Sequence, residues 1–167
     1  MTTRDQLIYR LQDQYAFHRD MLPLLNLLRH EAGASTLRTL LTRQHDEMRT
    51  DLETLERVLS LLGGRYKQEH HLLSAGFSEA TQRFKHQMNP SREQLDIYAL
   101  LMLIDVGQME HGAYQGDIDL ARALGEQDVV KLLEEIDHRQ TDTVNALRQY
   151  APTLIGGVSR GEARQAA

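Results

Sequence analysis

The chain has 167 residues, 41% of them hydrophobic and 26% charged, with a formal net charge of −5. That length fits one domain with a real core, and that composition excludes general disorder. The absence of cysteine removes disulfides and thiolate metal sites, and the negative balance gives nucleic-acid binding no electrostatic support.

Leucine is abundant, β-branched residues are sparse and period-two alternation is absent, so nearly every segment reads as helix. The first helix is expected from Thr3 to Glu31, with Thr3 as cap and Gln6 three residues on. The start, "MTTRDQLIYR", has no signal-peptide pattern, and no later run approaches the ~20 apolar residues of a membrane span. The expectation is a cytoplasmic protein with neither membrane nor nucleic acid as partner. Pro23 removes one backbone donor inside this helix and predicts a bend. Gly33 then stops the chain and Ser35 offers the next cap.

A second helix is expected from Thr36 to Leu62, ending at Gly63-Gly64. About 25 residues follow before the next long helix, with a short extra helix over Ser74 to His86. The third long helix starts near "NPSREQ", capped by Asn89 or Ser91, and runs to Leu124 before Gly125. The fourth covers Asp128 to Tyr150, before Pro152. Short connections make helices 1–2 and 3–4 antiparallel hairpins. Four long helices with one long crossover define an all-α, ferritin-like four-helix bundle over residues 1–152, with a Gly- and Ala-rich tail at 153–167 expected to fray.

The apolar stripes carry polar interruptions. His18 sits among Leu11, Tyr15, Leu22 and Leu25. Gln44 and Glu47 interrupt Leu37, Leu41, Met48, Leu52, Leu55 and Leu59. Glu110 interrupts Leu103, Val106, Ala113, Leu120 and Leu124, with Tyr114 one turn later. Gln140 interrupts Leu132, Leu133, Ile136, Thr143 and Leu147. A buried carboxylate costs several kcal/mol unless paired, hydrogen-bonded or metal-bound. Two explanations stand. Inward Glu and His from four helices suit a metal-carboxylate centre. Alternatively, Glu47 and Glu110 pair with protonated His18 and the two glutamines in a metal-free buried network.

Glu135-x-x-His138 has ligand spacing but lies off the apolar stripe, so it reads as a solvated face unless the helix is rotated by one position; Asp137 is a borderline case. His70-His71 reads as a loop pair or a surface metal clip. His45 and His111 each follow an inward residue and point elsewhere, and His30 suits a helix C-terminus.

The stretches "LQDQYAFHRDMLPLL", "EMRTDLETLERVLSLLG", "LLSAGFSEA" and "MEHGAYQGDIDLARALG" followed by "KLLEEID" resemble, in order, the YciE/YciF-type ferritin-like proteins of bacteria. The resemblance implies a ferritin-like bundle, a homodimer, an association with stress responses and a di-iron or related centre. The ligand positions it implies are only partly kept. His18 stands where a glutamate is expected, and Gln44 with Glu47 where His-x-x-Glu is expected. Gly107 replaces the first of two glutamates, while Glu110 and Tyr114 remain. Gln140 takes a ligand position in a glutamate-rich stretch. The metal candidates are therefore His18, Gln44, Glu47, Glu110 and Gln140, holding one divalent ion of iron, manganese or zinc, or no metal. Complete di-iron oxidase chemistry is not supported, and the second reading is a non-enzymatic structural or interaction dimer.

Overall fold

The structure, a computed structural model, describes residues 1–165, with side chains through residue 161. It contains α1 (Thr3–Glu31), α2 (Ser35–Leu61), α3 (Leu72–Met88), α4 (Arg92–Ala123) and α5 (Gln127–Gln165). The expected long elements are all present, and the extra helix lies in the crossover.

Their ends differ from expectation in instructive ways. Thr2 rather than Thr3 caps α1, in a reciprocal box with Asp5. Of the two candidates for α4, Ser91 makes the cap, with Gln94. Asn89 instead ends α3 in a left-handed conformation. Gly63 and Gly125 follow α2 and α4 at φ of +76° and +75°, where a side chain would be strained. Ser35 does not cap α2. Its N-terminus is capped from another helix: Gly33 N–H donates to Asp96 of α4 at 3.0 and 3.1 Å and Ala34 N–H at 2.7 Å. Arg92, one turn earlier on α4, donates back to the Glu31 and Ala32 carbonyls. Asp96 is thus a shared cap at the junction of two hairpins. Asp96→Ala should cost about 1–2 kcal/mol in urea unfolding, through loss of the charged cap that the part-buried Gly33 and Ala34 N–H groups donate to.

α5 does not end at Tyr150. It runs through Pro152 to Gln165, because Ala151 and Leu154 still pack on the core formed with α1 and α4, and that burial offsets the missing Pro152 donor. Helix therefore covers most of the segment expected to fray; residues 166–167 lie outside the described part. α1 likewise passes unbroken through Pro23, which is solvent-exposed.

α1 packs on α2 and α4, and α5 packs on α4 and α2, while α3 lies against α1. Contacts between α1 and α4 run in opposite directions along the chain: Arg10 meets Asp117, His18 meets Glu110, and Gly33 meets Asp96. Glu47 and Asp51 of α2 likewise meet Thr143 and Arg139 of α5 in antiparallel order. The bundle is therefore up-down-down-up. α2 and α4 run parallel, which is why a long crossover must return the chain to the other end. Two apolar clusters fill the interior. One surrounds Phe17, Met21, Leu41, Met48, Leu103 and Leu147; the other surrounds Leu7, Leu11, Leu55, Tyr114, Ile118 and Leu133. The polar side chains lie between them.

Candidate metal centre and central polar layer

Four of the five candidate ligands are interior. His18 is 0% exposed, and Gln44, Glu110 and Gln140 are 1% exposed each. Glu47 is different. It is half-buried on the flank of α2, where Arg43 Nε donates to it at 2.7 Å and Thr143 Oγ1 at 2.5 Å.

The candidates divide among separate partners. His18 Nε2 lies 2.7 Å from Glu110 Oε1, and the Tyr114 hydroxyl lies 3.1 Å from the same nitrogen. Burial works against an imidazolium here, but the Glu110 carboxylate outweighs it and holds the His18 pKa above the usual 6.5. Burial drives the Tyr114 phenol well above 10, so it stays protonated. His18 Nδ1 faces the Met48 backbone without a hydrogen bond of good geometry. Gln140 Nε2 donates to Asp51 Oδ2 at 2.8 Å. Arg139 donates to Asp51 Oδ1 through Nε at 3.0 Å and Nη2 at 2.7 Å. Gln44 has no hydrogen-bond partner for either side-chain atom.

The largest addition to the sequence reading is thus Asp51, which is fully buried and engaged by a guanidinium. Its signal was present. Leu37, Leu41, Gln44, Met48, Asp51, Leu55 and Val58 alternate in steps of four and three, and all are buried. That spacing places Asp51 inward and Glu47 and Leu52 on the flanks. Arg139 gave no such signal, because it reaches the layer from a partly exposed position.

Gly107 shows why the implied glutamate is missing. A Cβ built on it would run into Val144 Cγ2, well inside the 3.0 Å that real Cβ contacts keep. α4 and α5 approach closely at this point, and Val144 fills the space.

These residues do not fit a di-metal centre. Asp51 is neutralised by Arg139, Glu47 faces Arg43 and Thr143, and the Gly107 position is filled by Val144. Among the described residues no group of three or more His, Asp or Glu side chains is placed to hold a metal ion. Glu135 is exposed, and so is His138, which faces Asp142 at 3.6 Å. Asp137 instead accepts from His111 Nδ1 and from Gln115 Nε2, both at 2.7 Å. His71 caps α3 by accepting from Ser74 N–H.

A further buried carboxylate, Asp117, pairs with Arg10. Burial, only partly offset by Arg10, lifts its pKa from the usual 3.8 to about 6. An acid raised on folding favours the folded state while protonated. Its contribution is full below about pH 4 and is lost as pH rises through about 6. Asp117→Asn should flatten the decline in stability between those limits, as read by urea unfolding across the pH range.

Fold and layer together define the class: a ferritin-like helical bundle with a central polar layer. The chain belongs to the DUF892 family, described as a domain of unknown function, whose model matches residues 2–158; the YciE/YciF-type resemblance is thereby confirmed. Solved structures agree on the fold. The E. coli stress protein YciF superposes with a TM-score of 0.85 at 20% identity, covering 93% of this chain and 98% of that one. YcfI, a putative structural protein from Rhodopseudomonas palustris, gives 0.82 at 21% identity, covering 89% and 94%. A protein from Xanthomonas campestris pv. campestris gives 0.81 at 17% identity, covering 97% and 99%. No curated protein matches the sequence. Among the described residues no helix is long and apolar enough to cross a membrane.

Proposed function

We propose that this is a non-enzymatic, stress-associated structural protein of the cytoplasm, acting as a homodimer, whose polar layer fixes how its two hairpins dock. The observation that carries the reading is that the layer's ion pairs join one hairpin to the other: His18 of α1 to Glu110 of α4, and Asp51 of α2 to Arg139 of α5. A long crossover leaves the register between hairpins open. A one-turn slip would strand three charged groups, His18, Glu110 and Asp51, in the core, so these pairs penalise a shifted register. The names of two structural relatives, a stress protein and a putative structural protein, support the biological side of the reading.

One observation favours a second reading. Gln44 and Glu110 carry buried side-chain atoms without hydrogen bonds, the kind of unmet polar group that a single divalent ion of iron, manganese or zinc would answer. On that reading Glu47 and Gln140 would be outer ligands.

Complementation separates the two. A strain lacking the gene should recover its stress survival with a His18→Leu/Glu110→Leu variant, because an apolar pair can replace a structural ion pair. Failure to recover, with the variant folded and dimeric, would contradict the structural role.

A further inference from the structure

α2 and α4 differ on their outward faces. Every exposed position of α2 from Thr36 to Ser60 is polar or charged. α4 is apolar on both sides. Leu100, Leu103 and Val106 are buried in the bundle, while Ile97, Leu101 and Ile104 line the outward face at steps of four and three. Leu101 is 45% exposed, and Ile97 and Ile104 are half-buried. The register that sets Gly107 against Val144 brings Pro152 and Ile155 of α5, both exposed, alongside this strip. Two charges flank it. Asp105 stands on the α3 side, one turn on from Met102, which meets Thr81 of α3. Arg148 stands on the α5 side, beside Gln108 in the groove between α4 and α5. Both are exposed, and among the described residues neither has an ion pair or a hydrogen bond.

We propose that this face of α4 and α5 packs on the same face of a second copy, about a two-fold axis that runs along α4 beside Leu101. A helix that is apolar all round belongs inside a larger packed structure. The charges say which partner encloses it. A two-fold axis along the helix keeps height and exchanges the two sides of the strip. Because Gly107 lies opposite Val144, Asp105 and Arg148 stand within one turn of the same level. The axis therefore sets Asp105 against the partner's Arg148, and Arg148 against the partner's Asp105, as a polar rim around a leucine and isoleucine centre. An axis across the helices would instead set like charges together. The face is thus complementary to itself, which selects a second copy of this chain as its occupant. The inference rests on the homodimer proposed above and names its interface.

The test is sedimentation velocity of the full chain over a concentration series, with circular dichroism to confirm that each variant is folded. The expected result is a wild-type dimer whose Kd rises by about tenfold or more in Leu101→Arg. Asp105→Arg alone and Arg148→Asp alone should each weaken it too, because each sets like charges together across the interface. Mixed in equal amounts, these two variants should recover the dimer, since every contact in the mixed pair again joins opposite charges. A pair within one chain could not recover on mixing. A monomeric wild type would overturn both the interface and the homodimer. A dimer indifferent to Leu101→Arg or to the single charge reversals, or one that mixing does not recover, would overturn this face and leave the homodimer standing.

Discussion

Glu110→Ala should lower the unfolding free energy by about 3–5 kcal/mol, the cost of breaking a buried ion pair from one side. Among the described residues Glu110 is the only carboxylate in ion-pair contact with His18, and both are enclosed. Without it, only the Asp51 charge and the Met48 backbone favour the imidazolium against its burial. The sign in pH follows from the raised His18 pKa. The wild-type contribution is complete below the usual 6.5 and is lost as pH rises through the raised value. The deficit of Glu110→Ala should therefore be largest on the acid side and shrink toward alkaline pH. Replacing both partners by leucine should recover most of the loss or exceed the wild type, since an apolar pair of similar volume carries no desolvation cost. Urea unfolding of the single and double variants across pH checks both statements; a single variant as stable as the wild type would remove the ion pair from the account.

The second large effect lies at Gly107. Gly107→Glu, which restores the residue that the family resemblance implies, should cost about 3 kcal/mol or more, at the upper end of overpacking penalties. Val144 is buried and β-branched on a helix, so it has little rotamer freedom to yield. The smaller probe is sharper. Gly107→Ala should destabilise by about 1–3 kcal/mol in the wild-type background. In a Val144→Ala background its sign should reverse, because the better helix propensity of alanine, about 1 kcal/mol, is then unopposed. Thermal melts of the four proteins in this cycle give the answer. Equal effects in both backgrounds would mean that Val144 is not what excludes a side chain from position 107.

The fold was legible because it depends on long, redundant patterns. Each helix repeats its apolar stripe over many turns, and the single long crossover leaves few ways to arrange two hairpins. Helix ends were less legible. Thr2 and Thr3 are chemically equivalent caps one residue apart, and the cap on α2 comes from Asp96, more than 60 residues away in sequence. Pro152 looked like a stop because the burial of Leu154 beyond it is a tertiary effect.

The polar layer was half legible. Four of its members stood out as polar residues on apolar stripes. On α2, Glu47 and Leu52 border the apolar stripe, and only its alternating steps of four and three separate them from the inward Asp51. Partners could not be read at all. Whether a buried carboxylate is answered by a metal, a histidine or an arginine depends on which residue of a different helix lies opposite. Arg139, with an ordinary surface position in the sequence, settles that for Asp51.

If the layer is neutralised by the protein's own side chains, metal content shows it. Untagged protein from metal-replete cells should carry iron, manganese and zinc far below one per chain. Its melting temperature should be unchanged by EDTA and by added Fe²⁺, Mn²⁺ or Zn²⁺. One equivalent of a metal that survives gel filtration, raises the melting temperature and is lost in Glu110→Ala would contradict the account.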